Sequence, residues 1–173
     1  MIETEVKIKI EDVKIIKEKI EQLGAKLIKD CYLEENILYD FPDNKLRNNR
    51  QALRLRHENK KSFLTFKGPP LKSRRFKIRE EYETEVKNVK QTQKILKALG
   101  LIPSFSYNKN RSLYKKKNLK ICVDETPIGN FLELEGKRAE IVGFAKTLGF
   151  AKTEFIKLDY IQLMNKKKGE GLI

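Results

Sequence analysis

The chain has 173 residues, 39% hydrophobic and 36% charged, and carries a formal charge of +14 from 38 lysines and arginines against 24 acids. Its length suits one domain with a sizeable core rather than two, and no stretch approaches the roughly 20 apolar residues of a membrane helix, so a soluble globular protein is expected. The positive excess asks for an anionic partner without choosing among phosphates, nucleic acid and anionic lipid.

Residues 2–10 alternate, with Ile2, Thr4, Val6, Ile8 and Ile10 on one side of a strand and Glu3, Glu5, Lys7 and Lys9 on the other, because successive strand side chains point to opposite faces. A helix follows from about Asp12 to Leu23, with Val13, Ile16, Ile20 and Leu23 spaced by three and four, Asp12 as N-cap and Gly24 as the stop. Strands are expected at 31–40, 51–58 and 61–67, with turn residues Pro42, Asp43 and Asn44 between the first two. Arg54 and Arg56 oppose Leu53, Leu55 and His57, and Thr65 and Lys67 oppose Leu64 and Phe66. A loop with Pro69 and Pro70 leads to a strand at 75–87, where Lys77, Arg79, Glu81 and Glu83 oppose Phe76, Ile78 and Tyr82.

A second helix, about 91–99, carries Ile95, Leu96 and Leu99 before Gly100. Strands at 105–115, 119–125 and 130–136 follow, setting Lys120, Cys122 and Asp124 against Leu119, Ile121 and Val123, and Glu133 and Glu135 against Leu132 and Leu134. A third helix spans about 137–148 and also ends in Leu-Gly. Residues 155–164 read as a closing segment, part strand and part helix. A folded domain is therefore expected over 1–164, with 165–173, including Lys166, Lys167 and Lys168, as a flexible basic tail. The first two Leu-Gly stops each precede an extended stretch with an aromatic near its end, Tyr39 and Tyr114, which hints at two similar halves.

About eight strands suffice for a small closed barrel. If helices cover the apolar strand faces, the charged faces converge inside and line a polar channel. A sandwich with wet charged faces accounts for any one such strand, and its weight falls with each strand that repeats the pattern. The inward acids would be Glu3, Glu5, Glu81, Glu83, Asp124, Glu133 and Glu135. The inward bases would be Lys7, Arg54, Arg56, Lys67, Lys77, Arg79, Lys109, Arg111 and Lys120. So many charges cannot stand unpaired in a dry core, which makes a wet, metal-loaded channel the tolerable form. Carboxylate oxygens suit magnesium or manganese, arginine grips phosphate bidentately and lysine adds point charge. A polyphosphate with divalent ions fits that mixture.

Cys31 and Cys122 have no CxxC spacing and no His cluster beside them, which argues against zinc or a disulfide framework and for a reduced, cytoplasmic setting. The chain also enters a charged strand at once, without an apolar leader. His57 alternates onto the apolar side, Tyr114 suits stacking or packing equally, and Lys72, Arg74 and Arg75 read as a solvated loop.

Glu3-Thr4-Glu5-Val6-Lys7 resembles the ExExK signature of the CYTH superfamily, the triphosphate tunnel metalloenzymes. It is followed in order by Ala52-Leu53-Arg54-Leu55-Arg56, Leu64-Thr65-Phe66-Lys67-Gly68-Pro69, Lys77-Ile78-Arg79-Glu80-Glu81-Tyr82-Glu83, Lys109-Asn110-Arg111 with Tyr114, Val123-Asp124-Glu125 and Gly129-Asn130-Phe131-Leu132-Glu133-Leu134-Glu135. The set covers most of the chain. The resemblance implies an α+β fold, a closed eight-stranded antiparallel tunnel with helices outside. It implies Glu3, Glu5, Asp124, Glu133 and Glu135 as ligands of Mg2+ or Mn2+, and Lys7, Arg54, Arg56, Lys67, Lys77, Arg79, Lys109 and Arg111 as triphosphate contacts. Glu3, Glu5, Lys7, Arg54 and Arg56 form its catalytic set, and Glu81 and Glu83 are supporting acids.

The resemblance implies a class IV adenylyl cyclase, making cyclic AMP and pyrophosphate from ATP, as first choice, favoured by the cyclase-like stretch Lys77 to Glu83. The alternative is a triphosphatase acting on inorganic, thiamine or nucleoside triphosphate. Asn36 and Leu38 stand where many cyclase-like members carry aspartate and tyrosine, which leaves the organic part of the substrate open. A non-catalytic polyphosphate or RNA module is disfavoured, because its acids would repel a phosphate backbone and no RNP or KH signature is present. The expected partner is a triphosphate small molecule, without membrane or nucleic acid, and with a homodimer left open.

Overall fold

The computed structural model describes residues 1–169. Among them eight strands occur: β1 (Ile2–Ile10), β2 (Lys26–Asp40), β3 (Ala52–Glu58), β4 (Lys61–Lys67), β5 (Lys77–Glu85), β6 (Ile102–Lys116), β7 (Leu119–Thr126) and β8 (Gly129–Glu135). Hydrogen bonding joins them in the order β1-β5-β4-β3-β2-β6-β7-β8 and closes the series into a barrel. The neighbours β1 and β8, β2 and β3, β3 and β4, β4 and β5, β6 and β7, and β7 and β8 pair antiparallel. The expected closed eight-stranded antiparallel barrel is therefore the fold. The helices are α1 (Val13–Gln22), α2 (Lys45–Asn48), α3 (Val89–Ala98), α4 (Arg138–Thr147) and α5 (Tyr160–Gly169).

The chain divides into two compact units. The first comprises Met1–Glu3, Tyr32–Leu71 and Arg79–Asn108. Its helix α3 starts where the Asn88 side chain accepts from the Gln91 N–H at 3.0 Å, and it ends before Gly100, whose φ of +85° favours glycine. Leu96 of α3 packs with Tyr39, Leu55 and Leu101, so the helix covers the apolar side of these strands. The short helix α2 falls within the expected turn. One carboxylate organises it: Asp40 accepts from the N–H groups of Phe41, Leu46 and Arg47 at 2.7, 2.8 and 3.0 Å.

The second unit comprises Thr4–Cys31, Lys72–Ile78 and the chain from Lys109 onward. Asp12 caps α1 by accepting from the Ile15 N–H at 2.9 Å. Ile16 and Ile20 of α1 and Ile141, Phe144 and Ala145 of α4 bury themselves against Val6, Ile8, Ile121, Val123, Leu132 and Leu134. These are the apolar sets of β1, β7 and β8, so their charged sets lie on the face turned away from the helices.

Two elements of this fold differ in extent from the sequence reading, β2 and α5. The strand β2 begins at Lys26 rather than at 31; its first residues are largely exposed, so no buried side marks a period of two in the sequence there. In the closing segment Ile156 pairs with Lys7 through two backbone hydrogen bonds of 3.1 and 2.8 Å. Next, Asp159 and Gln162 exchange side-chain to backbone bonds of 2.9 and 3.0 Å, the reciprocal pattern of a capping box. The helix α5 that follows runs to Gly169, past the expected domain boundary at 164, and residues 170–173 of the expected tail lie outside the described residues.

Candidate functional site

In the second unit, strand register brings the charged residues into cross-strand rows. Lys7 lies opposite Glu133 and Glu5 opposite Glu135 between β1 and β8. Glu133 also faces Cys122, Glu135 faces Lys120, and Arg111 faces Asp124. Neighbouring side chains in such rows stand about 5 Å apart at Cβ, so opposite charges meet directly.

The contacts are short. Lys7 Nζ lies 3.0 Å from Glu5 Oε1 and 3.0 Å from Glu133 Oε2, and Lys77 Nζ lies 3.0 Å from the same Glu5 oxygen. Arg111 forks onto Asp124, Nε to Oδ1 at 2.5 Å and Nη2 to Oδ2 at 2.6 Å, and Nη2 reaches Glu133 Oε1 at 3.0 Å. Lys109 Nζ donates to Asp124 Oδ2 at 3.1 Å. Lys120 Nζ donates to Glu135 Oε2 at 2.7 Å. Asp124 is 0% exposed, and Glu5, Lys7, Lys109, Arg111 and Glu133 are all buried. The wet channel expected from sequence is here a buried network in which the chain's own cations neutralise its acids, the condition under which buried charge is tolerated.

Protonation follows from that pairing. Burial alone would favour neutral forms, but the Glu133 and Glu5 carboxylates hold the Lys7 ammonium charged to above the usual lysine range. Burial opposes ionisation of Glu133 too, yet Lys7 and Arg111 drive its pKa well below the usual value. Burial pushes the Cys122 thiol up to about 12, helped by Glu133 and Asp124, so it stays protonated and inert.

The first unit holds a second cluster. Arg54, Thr65 and Glu83 stand in one row across β3, β4 and β5, and Lys67 faces Glu81. Thr65 Oγ1 donates to Glu83 Oε2 at 2.6 Å, and Arg54 Nη2 lies 3.8 Å from that oxygen. Arg56 Nη2 reaches both Glu83 oxygens at 3.2 Å, and its Nη1 lies 3.8 Å from Glu34 Oε2. Lys67 Nζ donates to Glu81 Oε1 at 2.6 Å and lies 3.6 Å from Glu3 Oε1. Arg79 is buried in the same unit.

Glu81 is the group most ready to change charge. Partial burial, with Glu3 close by, outweighs Lys67 and lifts its pKa from 4.5 to about 7. A raised carboxyl binds its proton more readily in the folded than in the unfolded chain, so its contribution to stability is favourable below about pH 4.5 and is lost as pH rises to about 7. Glu81→Gln, which mimics the protonated form, should gain stability relative to the parent between these values and hold that gain above pH 7. Urea melts at pH 5 and pH 8 would check this, and equal differences at both pH values would count against it.

Two residues of these clusters were not foreseen. Tyr160 brings its hydroxyl 2.5 Å from Asp124 Oδ2; it lies in a segment with no alternation to reveal a face. Glu34 is 0% exposed beside Arg56, and its neighbour Glu35 is also acidic, so polarity could not tell which of the two points inward. Tyr114 is settled as core: it is buried against the helices, with its hydroxyl 3.1 Å from Glu21 Oε1 of α1. His57 is exposed, and its Nδ1 pairs with Ser62 Oγ at 2.9 Å.

The donor set fits a hard divalent ion in kind, since Glu5, Asp124 and Glu133 offer only carboxylate oxygen. As arranged, no three His, Cys, Asp or Glu side chains among the described residues converge to hold an ion. Ion binding therefore requires lysine and arginine to release carboxylate oxygens. No helix among the described residues is long and apolar enough to cross a membrane.

Comparison with known proteins agrees with this architecture. A protein of Methanocaldococcus jannaschii named "Putative adenylate cyclase MJ0240" is 32% identical over 174 residues, covering 94% of this chain and 98% of its own. The solved structure of a "putative adenylate cyclase" from Vibrio parahaemolyticus superposes with a TM-score of 0.86 at 17% identity, covering 95% of this chain and 98% of that one. A Hippeastrum protein, HpAC1, described as a "putative adenylyl cyclase" with a dominant triphosphatase activity, superposes with a TM-score of 0.68 at 18% identity over 96% of each chain. The CYTH domain profile matches residues 1–149, and the chain belongs to the CYTH domain family.

Proposed function

We propose that the chain is a divalent-metal-dependent enzyme acting on triphosphates, and that its reaction is the conversion of ATP to cyclic AMP and pyrophosphate. The observation that carries this reading is the buried Lys7, Lys109 and Arg111 set, interleaved with Glu5, Asp124 and Glu133. A protein that needed only a stable core would be served as well by apolar residues there. The cyclase names carried by the relatives support the choice of reaction.

Glu3, Glu5, Asp124, Glu133 and Glu135 are the proposed ligands of Mg2+ or Mn2+. Bound there, the ion would neutralise charge developing on the phosphate oxygens. Lys7, Arg54, Arg56, Lys67, Lys77, Arg79, Lys109 and Arg111 are the proposed phosphate contacts, with arginine gripping two oxygens at once and lysine adding charge. Glu81 and Glu83 hold Lys67, Arg54 and Arg56 in place by the pairs already given. For cyclisation the chain must fix the ribose 3′-hydroxyl in line with the α-phosphorus. The two cysteines are free, which suits the cytoplasmic setting that we propose.

A second reading, hydrolysis at the terminal phosphorus, is favoured by two observations. The Hippeastrum protein is described as having a dominant triphosphatase activity, and Asn36, buried at 1% exposure, is a neutral side chain where many cyclase-like members carry aspartate. Chromatography of products from ATP with magnesium or manganese separates the readings. Cyclic AMP with pyrophosphate is the expected result. ADP with orthophosphate, or rapid cleavage of inorganic triphosphate, would replace it with the hydrolase, and no turnover of any triphosphate would overturn both.

A further inference from the structure

Tyr160 opens α5 and is 4% exposed. The oxygen to which it donates, Asp124 Oδ2, also accepts from Arg111 Nη2 at 2.6 Å and Lys109 Nζ at 3.1 Å. The Nζ atoms of Lys7 and Lys109 lie 5.1 and 4.8 Å from the centre of its ring, inside the reach of a cation–π contact. Phe131 meets the ring edge-on at 5.7 Å.

A phenylalanine would fill the same space against Phe131, so packing does not account for the hydroxyl. Nor is the ring free to drift. The chain is pinned before it by the backbone pairing of Ile156 with Lys7 and at its own turn by the reciprocal Asp159 and Gln162 bonds. A single side chain thus touches one proposed metal ligand and two proposed phosphate contacts.

We infer that Tyr160 is a positioning residue: its hydroxyl fixes the Asp124 carboxylate for the metal ion, and its ring holds the ammonium groups of Lys7 and Lys109 toward a polyphosphate. This rests on the proposed reading of Asp124, Lys7 and Lys109. Groups that orient a metal ligand commonly govern affinity for the ion, by roughly 10- to 100-fold.

Tyr160→Phe removes the hydroxyl and keeps the ring, whereas Tyr160→Leu removes both. Calorimetric titration of each full-length variant with Mn2+ alone reads the first role, and calorimetric titration with inorganic triphosphate at saturating Mn2+ reads the second. Tyr160→Phe should weaken Mn2+ binding roughly 10- to 100-fold with little change in the Kd for inorganic triphosphate at saturating Mn2+, and Tyr160→Leu should also raise that Kd several-fold. Unchanged Mn2+ affinity in Tyr160→Phe, whatever its melting temperature, would overturn the inference while leaving the metal reading intact, provided the parent binds Mn2+. Failure of the parent to bind Mn2+ would overturn the metal reading and this inference together.

Discussion

Asp124→Ala is expected to cost about 3–5 kcal/mol of folding stability, the penalty for removing one partner of a buried ion pair. The carboxylate is 0% exposed and accepts from Arg111, Lys109 and Tyr160. Its loss leaves the Lys109 ammonium buried without that partner and takes two of the Arg111 hydrogen bonds, while Glu133 remains for Arg111. For a chain of this size the change corresponds to a fall in Tm of roughly 6–20 °C. A double variant, Asp124→Ala with Arg111→Leu, should recover part of the loss by removing buried positive charge left in excess, since the two residues are directly coupled. Thermal and urea melts of the parent and the two variants check this, and a cost below about 1 kcal/mol, typical of exposed pairs, would show that water screens the cluster. Triphosphate turnover should vanish in both variants.

Arg54→Ala is expected to weaken binding of ATP and of inorganic triphosphate by the same factor, roughly 10- to 150-fold, for the loss of a charge-assisted contact worth about 1.5–3 kcal/mol. Arg54 is a cleaner probe than Arg56. Arg56 also faces the fully buried Glu34, so its removal disturbs the fold, whereas the Glu83 side chain near Arg54 is 38% exposed and can turn to water. Arg54→Lys should recover only part of the affinity, because an ammonium cannot grip two oxygens in a fork. Calorimetry of both ligands in magnesium is the measurement. A loss confined to ATP would place Arg54 on the nucleoside rather than on the phosphates.

The barrel was legible because β1, β3, β7 and β8 bury one face under helices and so show a clean period of two. The charged residues were legible for the same reason, and the helix stops at Gly24 and Gly100 were marked by Leu-Gly. Pairing was not legible. Which cation neutralises which acid depends on register, as where Lys7 meets Glu133 and Arg111 meets Asp124, and register is fixed by packing and turns rather than written in either strand alone. Tyr160 escaped because its role exists only once the tertiary structure carries α5 to Asp124. Helix α2 escaped because its organising carboxylate, Asp40, belongs to the strand before it.

The backbone pairing of Ile156 with Lys7 bears on how the nascent chain matures on the ribosome. At about 5–20 residues per second, the roughly 150 residues between them take ~7–30 s to emerge. Through that interval the amide and carbonyl of Lys7 lack their eventual partners, and an open strand edge of this kind invites wrong pairing. The acids and bases of β1 remain hydrated during the same interval, so the desolvation of Glu5 and Lys7 falls among the last events of maturation. A helper that shields the early strand during translation would act on this protein before its charged network exists.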